Sequence, residues 1–410
     1  MHVLLVSPTV PWPPSFGGAQ RTVAFARALA ARHRVTLTCA TPVGTKVGDV
    51  ERFKQTAEEH LRPMVNRVLW GPPESWHAPA PPRRRSRVGR VLDDLLDLAR
   101  NPVPFEFREI DERWTAMVAA HAAEFDAAVV RYPNMAPVVA GLPPHRVVVD
   151  ADDMRFVVLE RLARTKPFTT MVSLRLEARR SRRWELALFR RVAHVTACSR
   201  EDLRLLKGVR ATVLPNGIQP EPTDGIARDP SAVLFVGHVG WRPNIAGVRW
   251  FLDEAWPILS AAQPRATFQV VGREASATTL GVPDMPGVTY AADVASVAPW
   301  FAGATVSVVP LFEGGGTRIK ILESLAYGTP VVSTRTGAAG LTEEFGEAEG
   351  LFLAESAADI AGAITRTLAN PAPALEAAAR GRALVLDRFS WPTILEDLAQ
   401  DIEHWVWPTG

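Results

Sequence analysis

The chain has 410 residues, 47% of them hydrophobic and 22% charged, and 46 basic side chains against 44 acidic ones give a net charge of +2. That apolar content fills real cores over a length suited to about two or three domains of roughly 100–200 residues, which excludes general disorder. The balanced charge excludes the global positive excess of a dedicated nucleic-acid binder, so no nucleic-acid partner is expected.

From the amino end, MHVLLVSPTVPWPP offers one short apolar run with no basic leader and no small-residue cleavage site. No stretch reaches 18 apolar residues, so a cytoplasmic protein is expected. Runs rich in Val and Leu then alternate with amphipathic stretches, the sequence form of β-α-β units on a parallel sheet covered on both faces. Strands are expected at 2–7, 35–40, 127–131, 146–150, 194–197 and 211–214, with a first helix near 18–33 carrying Val23, Ala26, Leu29 and Ala30 on one face. Cys39 and Cys198 lie far apart, each in an apolar stretch, which argues against a disulfide framework or a cysteine zinc site.

Arginines cluster at 81–90 (PPRRRSRVGR) and along the helical stretch 174–191. In the second, Arg175, Arg179, Arg182 and Arg183 share a face and Trp184, Leu186 and Phe189 offer apolar contacts, a surface suited to peripheral docking on an anionic membrane. The alternative is a solvated helix face. Loops such as 71–104 carry no readable motif.

A second strand series is expected at 232–237, 267–271, 288–290, 305–311, 330–334 and 351–353. Between the two series, QPEPTDGIARDP at 219–230 reads as a linker. The expected organisation is a domain at 1–218, a second at 231–390, and a tail helix at 391–405, within 391–410, returning to the first domain with Ile394, Leu395, Leu398, Ile402, Trp405 and Trp407. The fold class is α/β: two doubly wound Rossmann-like domains whose parallel sheets face each other across a cleft at their carboxyl ends.

The richest stretch is 305–340, TVSVVPLFEGGGTRIKILESLAYGTPVVSTRTGAAG, which reads strand, glycine loop, helix, strand, glycine loop. Gly314, Gly315 and Gly316 permit close backbone approach and positive φ, and a helix from about Thr317 aims its unpaired amides at that loop. An anion such as a diphosphate fits there, with Arg318 and Lys320 adding positive charge. Lys320 is one of only five lysines among the 46 basic residues. Glu323, about two turns on, suits two ribose hydroxyls better than a phosphate. Further on the first domain, VVVDADDM sets Asp150, Asp152 and Asp153 at a strand end, where carboxylates bind acceptor hydroxyls, assist proton transfer, cap a helix or hold a metal.

With VLPNGI at 213–218, FVGHVGWRPN at 235–244, VVGR at 270–273, Gly17-Gly18, and GGGTRIKILESLAYGTPVV, the chain resembles the retaining GT-B glycosyltransferases of glycosyltransferase family 4 over nearly its whole length. The resemblance implies a nucleotide-sugar donor, retention and no required metal. It maps the family's ribose-binding glutamate onto Glu323. The partner glutamate, separated from it by seven intervening residues, would fall at Gly315, with Glu313 two residues before it, so amides of Gly315 to Thr317 stand as the alternative contact to the donor sugar. His238 and Arg242 take the places of a diphosphate-gripping basic pair, Gly17 and Gly18 match a glycine loop at the first helix, and Arg273 and Tyr290 are expected near the base. Arg242, Lys320, Glu323, Asp152 and Asp153 are the catalytic candidates.

The acceptor is then a saccharide, a lipid-linked saccharide or a small-molecule aglycone, in envelope, exopolysaccharide or secondary-metabolite synthesis. The alternatives are a GT-B nucleotide-sugar epimerase, which needs no acceptor, and a non-catalytic two-lobed nucleotide or sugar binder.

Overall fold

The structure, a computed structural model, describes residues 1–14, 16–42, 47–73, 97, 100–101, 103–108, 110–164, 166–314 and 317–407. The arginine run 81–90, most of 71–104, and Gly315 and Gly316 lie outside the described residues. Two compact units emerge: Met1–Pro215 with Leu395–Gly410, and Asn216–Ile394.

The first unit holds a seven-stranded sheet in the order β3-β2-β1-β4-β5-β6-β7, every pairing parallel. Its strands are β1 His2–Ser7, β2 Arg34–Thr41, β3 Arg67–Pro73, β4 Ala127–Arg131, β5 Val147–Ala151, β6 His194–Ala197 and β7 Ala211–Val213. The central ones are mostly apolar; Leu4, Val6, Val130, Val149 and Val195 pack with Trp114, Phe156 and Phe189. Helix α1 (Gly17–Ala30) ends before the expected 33. Strand β3, absent from the sequence expectation, is half-buried at the sheet edge and ends in Pro72-Pro73, so it carries no continuous apolar run.

The arginine-rich stretch forms α2 (Phe168–Phe189). Arg175, Arg179, Arg182 and Arg183 are exposed. The apolar side chains expected beside them for a lipid surface point the other way: Phe189 is in the core, Leu186 packs against it, and Trp184 meets Phe107 at 3.8 Å between ring centres. Burying that face inside the unit stabilises more than leaving it to solvent. Among the described residues no helix is long and apolar enough to cross a membrane.

The tail is two pieces, Trp391–Leu395 and α3 (Leu398–Val406), with Glu396 and Asp397 at the break. Within the first unit, His33 Nε2 lies 2.9 Å from the Ala399 carbonyl and Trp405 stacks on His194 at 4.0 Å with 6° between planes. Ile402 is fully buried. Its truncation to alanine is expected to lower first-unit stability by about 2–4 kcal/mol in a urea titration; a change under about 0.5 kcal/mol would make α3 a loose appendage.

The second unit holds six parallel strands in the order β10-β9-β8-β11-β12-β13. They are β8 Asp229–Val236, β9 Thr267–Gly272, β10 Val288–Ala292, β11 Ala304–Val309, β12 Val331–Ser333 and β13 Leu351–Leu353. The stretch 219–230 falls within this unit: Arg228 donates to the Tyr327 and Gly328 carbonyls at 2.7 and 2.9 Å, and residues 229–230 open β8. One sheet face packs Val233, Phe235, Phe268, Val270, Val306 and Val308 against Phe251, Trp256 and Leu259. Helix α4 (Arg242–Trp250) follows β8, and helix α5 (Ile319–Ala326) follows β11.

Candidate functional site

Helix α5 is fixed by Ile321, Leu322 and Leu325, which are fully buried with Val309, Leu311 and Val331. Lys320 and Glu323, three apart and each half-buried, share the opposite face. The helix begins at Ile319, two residues later than expected, with Arg318 as its N-cap residue. Ahead of it Gly314 has φ +113, a conformation that favours glycine, and a Cβ there would sit 2.5 Å from Arg318 Nη2, so a larger residue would also displace the guanidinium. Thr317 and Arg318 are buried. Arg318 donates to the Glu313 carbonyl at 3.3 Å and lies 5.9 Å from the Trp241 ring centre.

Glu313 is buried, and its carboxylate takes two hydrogen bonds from Arg242, at 2.9 and 3.4 Å. Arg242 itself is 62% exposed in its side chain and sits at the start of α4. The loop thus gathers Glu313, Gly314, Arg318 and Arg242 in one place.

Lys320 reaches the end of β8 instead. Its Nζ donates to Asn244 Oδ1 at 3.0 Å and sits 4.2 Å from the Phe235 ring centre. A Cβ at Gly237 would lie 2.8 Å from that nitrogen, so the glycine of FVG makes the room the ammonium occupies. Burial, then the charge of Arg318, brings the Lys320 pKa down to about 7, with Glu323 opposing. Asn244, without a role on sequence grounds although it stands in the 235–244 stretch, is buried and donates to the His238 carbonyl at 2.8 Å.

His238 Nε2 is 3.3 Å from Glu274 Oε1. Val239 donates to the Arg273 carbonyl at 2.8 Å, which places Arg273 beside the FVG loop through its backbone. Tyr290 stands on β10, the edge strand two removed from β8, and burial followed by Asp284 raises its phenol pKa.

In the first unit, Asp150 and Asp152 meet arginines. Asp150 is fully buried; it accepts from Arg21 at 2.7 and 3.0 Å, from Thr196 at 2.6 Å, and from Arg131. Asp152 accepts from Arg131 at 3.1 Å and from the Cys198 thiol at 3.0 Å. Burial alone would push the Asp152 pKa up; Arg131 and Arg21 outweigh it and hold the carboxyl below the usual range. Asp153 is half-buried. The following helix, Arg155–Ala163, has Met154 at its N-cap position, and its first amides go to Glu185 at 2.9 and 3.1 Å. Gly18 lies under Tyr132, whose hydroxyl would be 2.6 Å from a Cβ there, and Gly17 begins α1. Tyr132 adopts φ +71. Among the described residues no group of three or more His, Cys, Asp or Glu is gathered as a metal site.

Residues 230–370 match the family model described as Glycosyl transferases group 1. The second unit carries a glycosyl transferases group 1 domain. The whole-chain fold matches solved GT-B glycosyltransferases. Sucrose-phosphate synthase from Thermosynechococcus elongatus aligns over 98% of both chains at 18% identity and TM-score 0.64. Anabaena HepE, solved with UDP-glucose, aligns over 98% of this chain and 99% of its own at 15% identity and TM-score 0.65. WaaG, a glycosyltransferase involved in lipopolysaccharide biosynthesis, aligns over 98% and 99% at 17% identity and TM-score 0.60. No curated protein sequence matches the chain. The group 1 domain, set in this fold, supports a glycosyltransferase.

Proposed function

We propose that this glycosyltransferase moves a sugar from a nucleoside-diphosphate sugar to an acceptor hydroxyl, with retention and without a metal, as a member of the retaining family its motifs resemble. The observation that carries the reading is the gathering of Arg242 and Arg318 at a positive-φ glycine loop, with Lys320 in the first turn of the helix that follows reaching the end of β8 and Glu323 on the face that Lys320 shares. In the step, the bond from the anomeric carbon to the diphosphate oxygen breaks and its electron pair stays on the phosphate. The acceptor oxygen bonds to the anomeric carbon on the same face, and its proton passes to the departing phosphate oxygen. No protein nucleophile is needed. Fixed amides and cations stabilise the charge that grows on the diphosphate. Glu323 accepts from two ribose hydroxyls; Arg273 and Tyr290 lie toward the base, and His238 supports the diphosphate loop.

On the acceptor side, Asp152 and Asp153 serve as hydroxyl-binding carboxylates. Asp152, held ionised by Arg131 and Arg21, suits accepting a hydrogen bond better than accepting a proton. HepE, solved with UDP-glucose, makes uridine donors the first to test. A saccharide, a lipid-linked saccharide reached at an anionic membrane, or a small aglycone fits the acceptor role in envelope, exopolysaccharide or secondary-metabolite synthesis.

Calorimetric titration with UDP, GDP, ADP and dTDP tests the reading. Glu323→Ala is expected to weaken the preferred nucleotide by about tenfold or more, the scale of charge-assisted hydrogen bonds, while leaving inorganic pyrophosphate within about twofold. Wild-type nucleotide affinity in that variant would remove Glu323 from the site.

A further inference from the structure

Lys320 rises from the first turn of α5, yet its ammonium is held by a residue 76 positions away on α4. Asn244 spends both ends of its amide on that junction. Its Oδ1 accepts from Lys320 Nζ at 3.0 Å and its Nδ2 donates to the His238 carbonyl at 2.8 Å. Asn244 is 3% exposed, whereas Trp241 and Arg242 just before it are exposed. A Cβ on Gly237 would meet both Lys320 Nζ, at 2.8 Å, and Asn244 Nδ2, at 2.9 Å. Three separate segments, the end of β8, the start of α4 and the start of α5, therefore close around one ammonium group.

We propose that Asn244 is a positioning residue for donor binding: its side-chain oxygen fixes the Lys320 ammonium against the Gly237 backbone, and its amide ties that point to the loop carrying His238. The inference rests on the proposed diphosphate site and goes beyond it by naming the group that sets where and in what state the lysine meets the ligand. A neutral acceptor is the chemistry the position calls for. A carboxylate there would already neutralise Lys320 and repel a diphosphate, whereas an apolar side chain would leave the ammonium desolvated and one proton unshared. The charges facing the ammonium are Arg318 and Glu323. On α4 the nearby cation is Arg242, paired with Glu313, and on the loop after β8 it is His238, beside Glu274.

The test is nucleotide affinity against pH, from 6 to 9, using whichever of UDP, GDP, ADP and dTDP binds wild type most tightly. Four proteins are compared: wild type, Asn244→Ala, Asn244→Asp and Lys320→Ala. The probe's own phosphate ionisation is common to all four, and the Lys320→Ala profile supplies it as the reference. Wild-type affinity is expected to fall as pH rises through the lysine's titration. Asn244→Ala is expected to weaken binding by about tenfold at pH 8 and by much less at pH 6, the equivalent of moving the lysine midpoint down by about one pH unit. Asn244→Asp is expected to bind more weakly than wild type at pH 6 yet to flatten the profile up to pH 9, because the carboxylate keeps the lysine charged.

Both Asn244 variants lose the amide bond to His238, so the difference between their pH profiles isolates the oxygen facing Lys320. A merely structural role would lower affinity equally at every pH. Parallel profiles for wild type and both Asn244 variants, with Lys320→Ala weaker than wild type, would overturn the positioning role and leave the diphosphate site standing. Wild-type affinity in Lys320→Ala, or no binding of any of the four nucleotides, would bring down the site and the inference together.

Discussion

Replacing Asp150 by alanine is expected to destabilise the first unit by about 3–5 kcal/mol, the cost of removing one partner from a buried ion pair. The carboxylate is fully buried on β5 and serves Arg21, Arg131 and Thr196 at once. Arg21 and Arg131 are themselves fully buried, and both guanidiniums lie within 6 Å of the Phe25 ring centre, at 5.2 and 5.6 Å. Arg21 keeps the Leu214 and Pro215 carbonyls, and Arg131 keeps Asp152, so the unit retains some satisfaction and the loss stays short of both full desolvation penalties. Against a total of about 5–15 kcal/mol for a typical domain, that leaves the first unit marginal or unfolded.

Far-ultraviolet circular dichroism in a urea series reads the effect. A normally folded Asp150→Ala protein with lost transfer activity would instead make Asp150 an acceptor-side catalytic group. The neighbouring Asp152 adds a pH signature. Its folded pKa is lowered, so its contribution is complete above the ordinary carboxylate range and is lost only as pH falls through the lowered value in strong acid. Asp152→Asn is therefore expected to reduce stability at pH 7 and to bring the variant and wild type closer together as the pH is lowered.

The parallel architecture was legible because buried parallel strands are apolar on both faces: 2–7, 127–131, 194–197 and 351–353 are strands in the structure over the residues expected. β3 was not, since an edge strand pairs on one side only and RVLWGPP reads as a turn-rich stretch. The strand and helix that flank Gly314, Arg318, Lys320 and Glu323 were legible because their pattern is local to one segment. Asn244 was not, because its role is a contact between α4 and α5; as the residue after a proline near a helix start, it reads as an ordinary helix-initiating asparagine. The arginine partners of Asp150 and Asp152 escaped for the same reason. Arg21 sits 129 residues from Asp150, and an arginine inside an amphipathic helix reads as a solvated one until the fold turns it inward. The Trp184 and Phe189 face of α2 shows the converse error, since amphipathicity fixes that one face is apolar and does not say what covers it.

Lys320→Met is expected to separate stability from function in opposite directions. The lysine costs the fold something, because burial brings its pKa from an ordinary 10.5 down to about 7. In the window between those values the unfolded chain binds more protons than the folded one, so stability rises with pH there; below pH 7 both states are protonated and the cost is present in full. Methionine has nearly the same length and fills the space beside Phe235 without the charge, although it leaves Asn244 Oδ1 without its donor. The net expectation is a second-unit melting temperature about 2–4 °C above wild type at pH 6, consistent with a stabilisation on the order of 1 kcal/mol, with the gain shrinking by pH 9.

Nucleotide affinity is expected to drop in the same variant by at least about tenfold at pH 6, because the lost partner is a charge-assisted hydrogen bond to phosphate. Scanning calorimetry at the two pH values and titration with nucleoside diphosphate decide the matter. A protein that melts lower and binds as tightly as wild type would make Lys320 a structural bridge between α4 and α5. One that melts higher and binds weakly identifies a cation retained against the interest of the fold, as binding groups in stability-function trade-offs are.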